Sequence, residues 1–334
     1  MKFKAQINVA SADLGSKVIH CSDEFFAASE RMLQSSDPVW IEDKFDDHGK
    51  WMDGWETRRR RDGQNDYCFI KLGKKSLING FDIDTSHFTG NYAPGVSILG
   101  GCFTDDISEK EIIEGLDDSA WFDLLEPQSL NGDADNTYTS ISQQEVTHLK
   151  VTMYPDGGIA RLRAYGSICF DESLYGIEKT NVIATSTGAR AVYANDEHFG
   201  KLQNILAEHE ALNMADGWET RRRREPGNDW GVIELPCPAV ISSVMVDTKF
   251  FKGNFPDTFS ICADNLNATT DEALITQSMF WPELIGEQKL AMDQQHMFAQ
   301  DYIKHKNPIT HIRINIFPDG GISRLKLIGT FVKS

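Results

Sequence analysis

The chain has 334 residues, 40% apolar and 25% charged, ordinary proportions for a soluble globular protein long enough for more than one core. Fifty acidic residues against 33 basic give a net charge of −17, which argues against a nucleic-acid backbone or an anionic membrane as partner. No apolar run approaches the roughly 18–20 residues that span a bilayer, and Met1-Lys2-Phe3-Lys4-Ala5-Gln6 lacks a signal-peptide core. Cysteines 21, 68, 102, 169, 237 and 262 form no CxxC pair, which favours reduced thiols and a cytoplasmic location.

In chain order, Asp23 to Leu33 is the first predicted helix, the counterpart of a clearer one from Asp196 to Glu210. There Phe199, Leu202, Ile205 and Leu206 follow an acidic cap at helical spacing. Asp53-Gly54-Trp55-Glu56-Thr57-Arg58-Arg59-Arg60-Arg61 comes next. It recurs unchanged as Asp216-Gly217-Trp218-Glu219-Thr220-Arg221-Arg222-Arg223-Arg224, 163 positions on. Further on, Leu149, Val151 and Met153 alternate with His148, Lys150, Thr152 and Tyr154, the period of a half-buried strand. Ile312, Ile314 and Ile316 repeat that pattern beside His311, Arg313 and Asn315. Pro155-Asp156-Gly157-Gly158 and Pro318-Asp319-Gly320-Gly321 supply turn chemistry, and alternation resumes at Arg161, so each half is expected to end in a hairpin. In that hairpin Thr152 would face Arg161, Lys150 would face Arg163 and His148 would face Tyr165.

These matches make the chain a duplication of domain-sized units. Asn65-Asp66 answers Asn228-Asp229, Gly90-Asn91 answers Gly253-Asn254, and Thr147-His148 answers Thr310-His311. Asp23-Glu24 answers Asp196-Glu197 at an offset of 173, so the first copy carries ten extra residues between about Trp40 and Trp51. The expected division is a first repeat over 1–170, a solvated connection over 171–187 and a second repeat over 188–334. Short strands, polar loops and this unit size predict an all-β protein of two tandem jelly-roll sandwiches with a few short helices.

An extended Trp55–Arg61 segment places Glu56, Arg58 and Arg60 on one face and Trp55, Thr57, Arg59 and Arg61 on the other. Unpaired guanidinium groups do not bury, so neither face reads as plain core. One reading is a structural ion-pair network, with Arg58 meeting Glu56 and carboxylates such as Asp53 and Asp66. The other is a clamp for a planar anion, a carboxylate above all. His148 and His311 lie opposite the apolar face of their strands and could move protons or sit as bonded surface groups. Asp156 and Asp319 read as turn formers. There is no GxSxG elbow, HExxH, P-loop or dinucleotide fingerprint, and no ligand spacing calls for a metal, although a divalent ion is not excluded. The residues alone leave enzyme and binding module open.

The doubled DGWETRRRR, the Asn-Asp and Gly-Asn pairs, and the His…Pro-Asp-Gly-Gly…Arg segments at 148–161 and 311–324 closely resemble the allantoicase family (allantoate amidinohydrolases). The resemblance runs along nearly the whole chain. It implies galactose-binding-like jelly-roll repeats, conversion of allantoate and water to ureidoglycolate and urea in purine degradation, and a homo-oligomer. The sequence itself calls for no cofactor. On the basis of the resemblance Arg58, Arg60, Arg221 and Arg223 are expected to hold the substrate carboxylate, with Asn65, Asn228, Arg161 and Arg324 as further substrate contacts. His148, His311, Glu56 and Glu219 are the expected proton-handling groups. A tandem carbohydrate- or anion-binding module is the alternative that the fold class allows.

Overall fold

The computed structural model describes residues 2–114, 118–267 and 270–333. The chain divides into a first unit, Met1–Cys169, and a second, Phe170–Ser334. Each is built around one long strand, Tyr67–Asp84 in the first and Asp229–Asp247 in the second. The early part of Tyr67–Asp84 pairs with Glu145–Met153 on one side and Lys17–Cys21 on the other. Its later part pairs with Arg161–Ile168 and Asp135–Thr139. One strand therefore serves both layers of the sandwich, and the flanking strands are distributed between them. Gly95–Gly101 and Phe122–Ser129 extend the layer of Glu145–Met153.

The second unit repeats this plan. Asp229–Asp247 pairs early with Ile309–Phe317 and Arg190–Ala194, and later with Arg324–Phe331 and Gln295–Phe298. The period-two pattern has the expected physical outcome: Leu149, Val151, Met153, Ile312, Ile314 and Ile316 are all fully buried. Separate apolar clusters fill the units, one including Ile70, Phe81 and Leu162, the other Ile233, Phe259 and Leu325. The architecture is all-β, two tandem jelly-roll sandwiches with short helical turns.

Three local expectations change. The Pro-Asp-Gly-Gly segments do not close hairpins. Glu145–Met153 and Arg161–Ile168 both pair with Tyr67–Asp84, so His148 faces Lys71 rather than Tyr165, and Arg161 faces Asp84 rather than Thr152. The segment crosses from one layer to the other, and the positive φ of Gly157 (134°) makes the bend. The predicted helices contract to 3-10 turns at Ser29–Leu33 and Leu202–Leu206. The expected acidic cap is not at the start of the second turn, whose N-cap is Lys201; Glu197 instead reaches Leu202 N–H at 2.7 Å from upstream. Finally, 171–187 is not solvated along its length. Thr180–Asn181 pairs with the last strand, Val182 and Ile183 are fully buried in the second core, and Ala184 is buried too. Burying Val182 and Ile183 stabilises by roughly 1.5–3 kcal/mol each, which ties this stretch to the second unit.

Candidate active site: the arginine end of each unit

The alternation predicted for the nonapeptide holds only as far as threonine. Trp55 is fully buried and its indole N–H donates to the Asp23 carbonyl at 2.8 Å. Thr57 is buried too, exchanging bonds with Gly157: each backbone N–H reaches the other residue, at 3.1 Å. Trp55-Glu56 also pairs with Gly158-Ile159. Gly54 is required for this close approach, because a Cβ there would lie 2.5 Å from the Ile159 carbonyl oxygen. The apolar half of the motif thus anchors in core, and beyond Thr57 the arginines project from one end of the sandwich.

Two of the four arginines are committed to internal partners. Arg58 bonds Asp23 through Nε, Nη2 and its backbone N–H, at 3.0, 2.7 and 2.6 Å. Burial works to raise the Asp23 pKa, but these bonds prevail and hold it below the usual carboxylate value. Arg60 pairs with the buried Asp66 at 2.5 Å and with Asp62 at 3.1 Å. Asp156 accepts the Arg60 backbone N–H at 2.7 Å, so this aspartate joins the crossing segment to the arginine segment. The second unit copies the arrangement: Arg221 with Asp196 at 2.7 Å, Arg223 with Asp229 at 2.7 Å, and Asp319 accepting from Arg223 N–H at 2.7 Å. The ion-pair reading therefore describes Arg58, Arg60, Arg221 and Arg223, with Asp23 and Asp196 as partners in place of Glu56 and Asp53.

Among the described residues, Arg59, Arg61, Arg222 and Arg224 have no ion-pair partner. In the second unit Arg221 to Arg224, with Asp196, Glu225 and Asp229, line an open cavity of about 260 Å³. Arg223 Nε is buried there without a partner among the described residues, whereas Arg60 Nε is bonded to Asp62. Unspent guanidinium donors facing a cavity are suited to a carboxylate.

The glutamate of the motif stands at the same end. Asn91 donates to Glu56 at 2.7 Å, and Asn254 donates to Glu219 in the same way. Burial raises the Glu56 pKa against the Asn91 bond, and the Asp46 charge adds to the rise. Asn65 is exposed, its carbonyl accepting from Arg60, while the Asn228 side chain donates to the Asp229 carbonyl at 2.9 Å. The repeated Gly-Asn pairs thus carried a signal for Asn91 and Asn254 that motif reading alone passed over.

The other expected residues lie elsewhere. Arg161 is fully buried, bonded to Asp53 at 2.7 Å and to the carbonyls of Ser36, Asp53 and Ala160. Arg324 likewise meets Asp216 at 2.7 Å and the His209 carbonyl at 2.8 Å. With their donors engaged inside the fold, both tie the loop before the motif to a strand. His148 and His311 are buried at the far end of their strands. About six residues at ~3.3 Å each separate His148 from the crossing segment, roughly 20 Å. Burial lowers the His148 pKa to about 4, with the Lys71 charge adding. No group of three or more His, Cys, Asp or Glu among the described residues is arranged to hold a metal ion.

The fold and this geometry define a tandem jelly-roll protein whose two copies present the same arginine-rich, carboxylate-braced end. An allantoicase repeat model matches residues 7–169 and again 180–332. A probable allantoicase 1 of Burkholderia mallei is 46% identical, covering 98% of this chain and 95% of the relative. A probable allantoicase of Photobacterium profundum is 44% identical, covering 98% of both. The crystal structure of allantoicase from Saccharomyces cerevisiae superposes with a TM-score of 0.79 at 32% identity, covering 98% of this chain and 96% of that one. The chain belongs to the allantoicase family.

Proposed function

We propose that this protein is an allantoate amidinohydrolase, converting allantoate and water to ureidoglycolate and urea. Besides family membership, the observation that carries the reading is the set of uncommitted guanidinium groups at the arginine ends of an otherwise acidic chain. Allantoate is a carboxylate whose central carbon bears two ureido groups. Arg222 and Arg224, and Arg59 and Arg61 in the first unit, take the carboxylate and orient that carbon. Arg58, Arg60, Arg221 and Arg223 hold the backbone in place through their aspartates.

In the reaction the bond from the central carbon to one ureido nitrogen breaks, a bond to water oxygen forms, and the leaving nitrogen gains a proton. Arginine does not release protons usefully, so the adjacent carboxyl groups are the acid–base candidates. The raised pKa of Glu56 favours its carrying the proton that the departing urea needs. Glu219, beside Asn254, is its counterpart. His148 and His311 stand too far from the arginines of their own unit to share one substrate molecule with them, and we assign them no step at this end.

We further take the protein to work in the cytoplasm as a homo-oligomer, with a small-molecule substrate and no nucleic-acid or membrane partner. The net charge supports the last two points, and no helix of the described residues is long and apolar enough to cross a membrane. The test is direct: purified protein is incubated with allantoate, with and without a chelator and with added divalent cations, and urea is measured. Release of one urea per allantoate is expected; folded protein that releases none under any condition rejects the reading. Light scattering checks the assembly.

A further inference from the structure

The histidine ends, unlike the arginine ends, have diverged in charge. In the first unit neighbouring strands place Lys17, Lys71, His148 and Gly101 in one cross-strand row. The corresponding row in the second unit is Arg190, Glu234, His311 and Asp264. A lysine and a glutamate thus occupy the same position beside the same histidine.

The histidine itself is held identically in both. Thr310 Oγ1 accepts Leu266 N–H at 2.8 Å and has the Asp264 and Leu266 carbonyls at 3.5 and 3.4 Å as acceptors for its own proton. It also lies 2.9 Å from His311 Nδ1. Either atom can be the donor across this 2.9 Å contact; with Nδ1 as the donor, Nε2 is left as a bare acceptor. Thr147 makes the matching set around His148, whose buried Nε2 has no partner among the described residues.

Beside His148, the bare nitrogen has a lysine as its row neighbour, a donor near an acceptor. Beside His311 the neighbour is an acceptor. Glu234 Oε1 lies 3.8 Å from Nε2, too far to bond. The other Glu234 oxygen is 2.6 Å from Arg190, which also meets Asp271 at 2.7 Å. These groups open on a cavity of about 350 Å³ with apolar walls that include Leu235, Leu266 and Leu274. A small, partly apolar cavity with a few convergent polar groups is the usual form of a ligand site. Two acceptors facing one gap select a group that can donate two hydrogens at once.

We propose that this cavity of the second unit is a binding site for a primary amide or ureido group, its –NH2 donating to Glu234 Oε1 and His311 Nε2, and that the histidine end of the first unit, with Lys71 in the glutamate position, does not bind it. The choice of a ureide rests on the function proposed above. The site is separate from the arginine end of its own unit, at the opposite end of strand Ile309–Phe317.

The probes are N-methylurea and urea at non-denaturing concentration, read by the ring resonances of carbon-labelled histidines. A saturable shift at His311 and none at His148 is expected. Glu234→Lys, which writes the arrangement of the first unit into the second, weakens the response by about tenfold or more, the loss of one bond to a charged acceptor. Glu234→Gln keeps an acceptor oxygen and serves as the conservative control. Absence of a saturable His311 shift in wild type, or an unchanged shift in Glu234→Lys, overturns the proposal. Relief of inhibition by added urea in Glu234→Lys identifies the occupant as the product and supports the site. Urea release from allantoate is measured on the same preparation. Active wild type without the His311 shift fails this inference alone, and a shift without urea release fails the functional reading alone.

Discussion

The two ends of each unit differ in how well the duplication has kept them. At the arginine end nearly every polar contact of the first unit has its copy in the second: Trp to the Asp23 or Asp196 carbonyl, Arg60 or Arg223 to a buried aspartate, Asp156 or Asp319 to a backbone N–H. At the histidine end the threonine's contacts and a cation–carboxylate pair, Lys17–Glu109 or Arg190–Asp271, are kept, but the histidine's row neighbour changes sign from Lys71 to Glu234. A geometry held twice over serves something both units do. A geometry that has reversed its charge serves something they do differently.

The strongest way to probe the shared end is to remove its hidden supports. Arg161→Ala leaves Asp53 charged and without its arginine in a site where that carboxylate side chain is 7% exposed. A loss of roughly 3–5 kcal/mol is expected from breaking such a buried pair. Arg324→Ala should lose less, because the partner Asp216 is 24% exposed and water can replace part of the interaction. Chemical denaturation of both variants checks the ranking; equal losses would show that the exposure difference has no energetic meaning.

The histidine end should show itself in acid. His148 titrates near 6.5 when unfolded and is lowered to about 4 by burial in the folded state. Between those values the unfolded chain binds a proton that the folded one refuses. The stability from this group is therefore complete above about pH 6.5, is lost as pH falls toward 4, and stays level below that. The shift corresponds to something on the order of 3 kcal/mol. Unfolding of wild type and His148→Gln from pH 7 to 4.5 isolates the effect from the carboxylates, and identical pH slopes would remove it.

How much of this was legible in the sequence depends on how far apart the interacting residues lie. The strand Leu149–Met153 was readable because alternation is a local signal, and the duplication because nine identical residues are unmistakable. The supposed hairpin failed because Pro-Asp-Gly-Gly specifies a bend but not which strand comes next, and Tyr67–Asp84 lies between the two in the sheet. Leu202, Ile205 and Leu206 are buried as their spacing predicted, but Phe199 of the same predicted face is 59% exposed, and the buried three need only a 3-10 turn. The arginine partners were hidden for a related reason. Asp23 reaches Arg58 across 35 positions, and nothing in the nonapeptide tells a paired guanidinium from its unpaired neighbour.

That distinction sets the next test. If the unpaired arginines take the carboxylate, Arg222→Ala and Arg224→Ala, or Arg59→Ala and Arg61→Ala in the first unit, should lower kcat/KM by roughly ten- to hundredfold with unfolding midpoints unchanged. Measuring the two pairs separately also breaks or sharpens the equivalence of the units. A fall from one pair only would assign allantoate hydrolysis to a single arginine end. Equal falls would keep both.

The smallest effect is expected from Arg58→Lys. The side chain is 64% exposed, and Asp23 keeps its bond from the backbone N–H of residue 58 whatever side chain follows. What the lysine loses is the two-pronged contact and the stacking of guanidinium over Phe25, 5.1 Å from the ring centre. Arg221→Lys should be milder still, since His198 stands where Phe25 does and Arg221 reaches Asp196 with Nε and its backbone N–H. Exposed pairs of this kind contribute little to folding, so the unfolding midpoint should stay at the wild-type value and urea release close to it. Should Arg58→Lys instead lose as much activity as Arg59→Ala while remaining folded, the paired arginine would be the one that meets substrate. Asp23 would then be its orienting partner rather than its competitor.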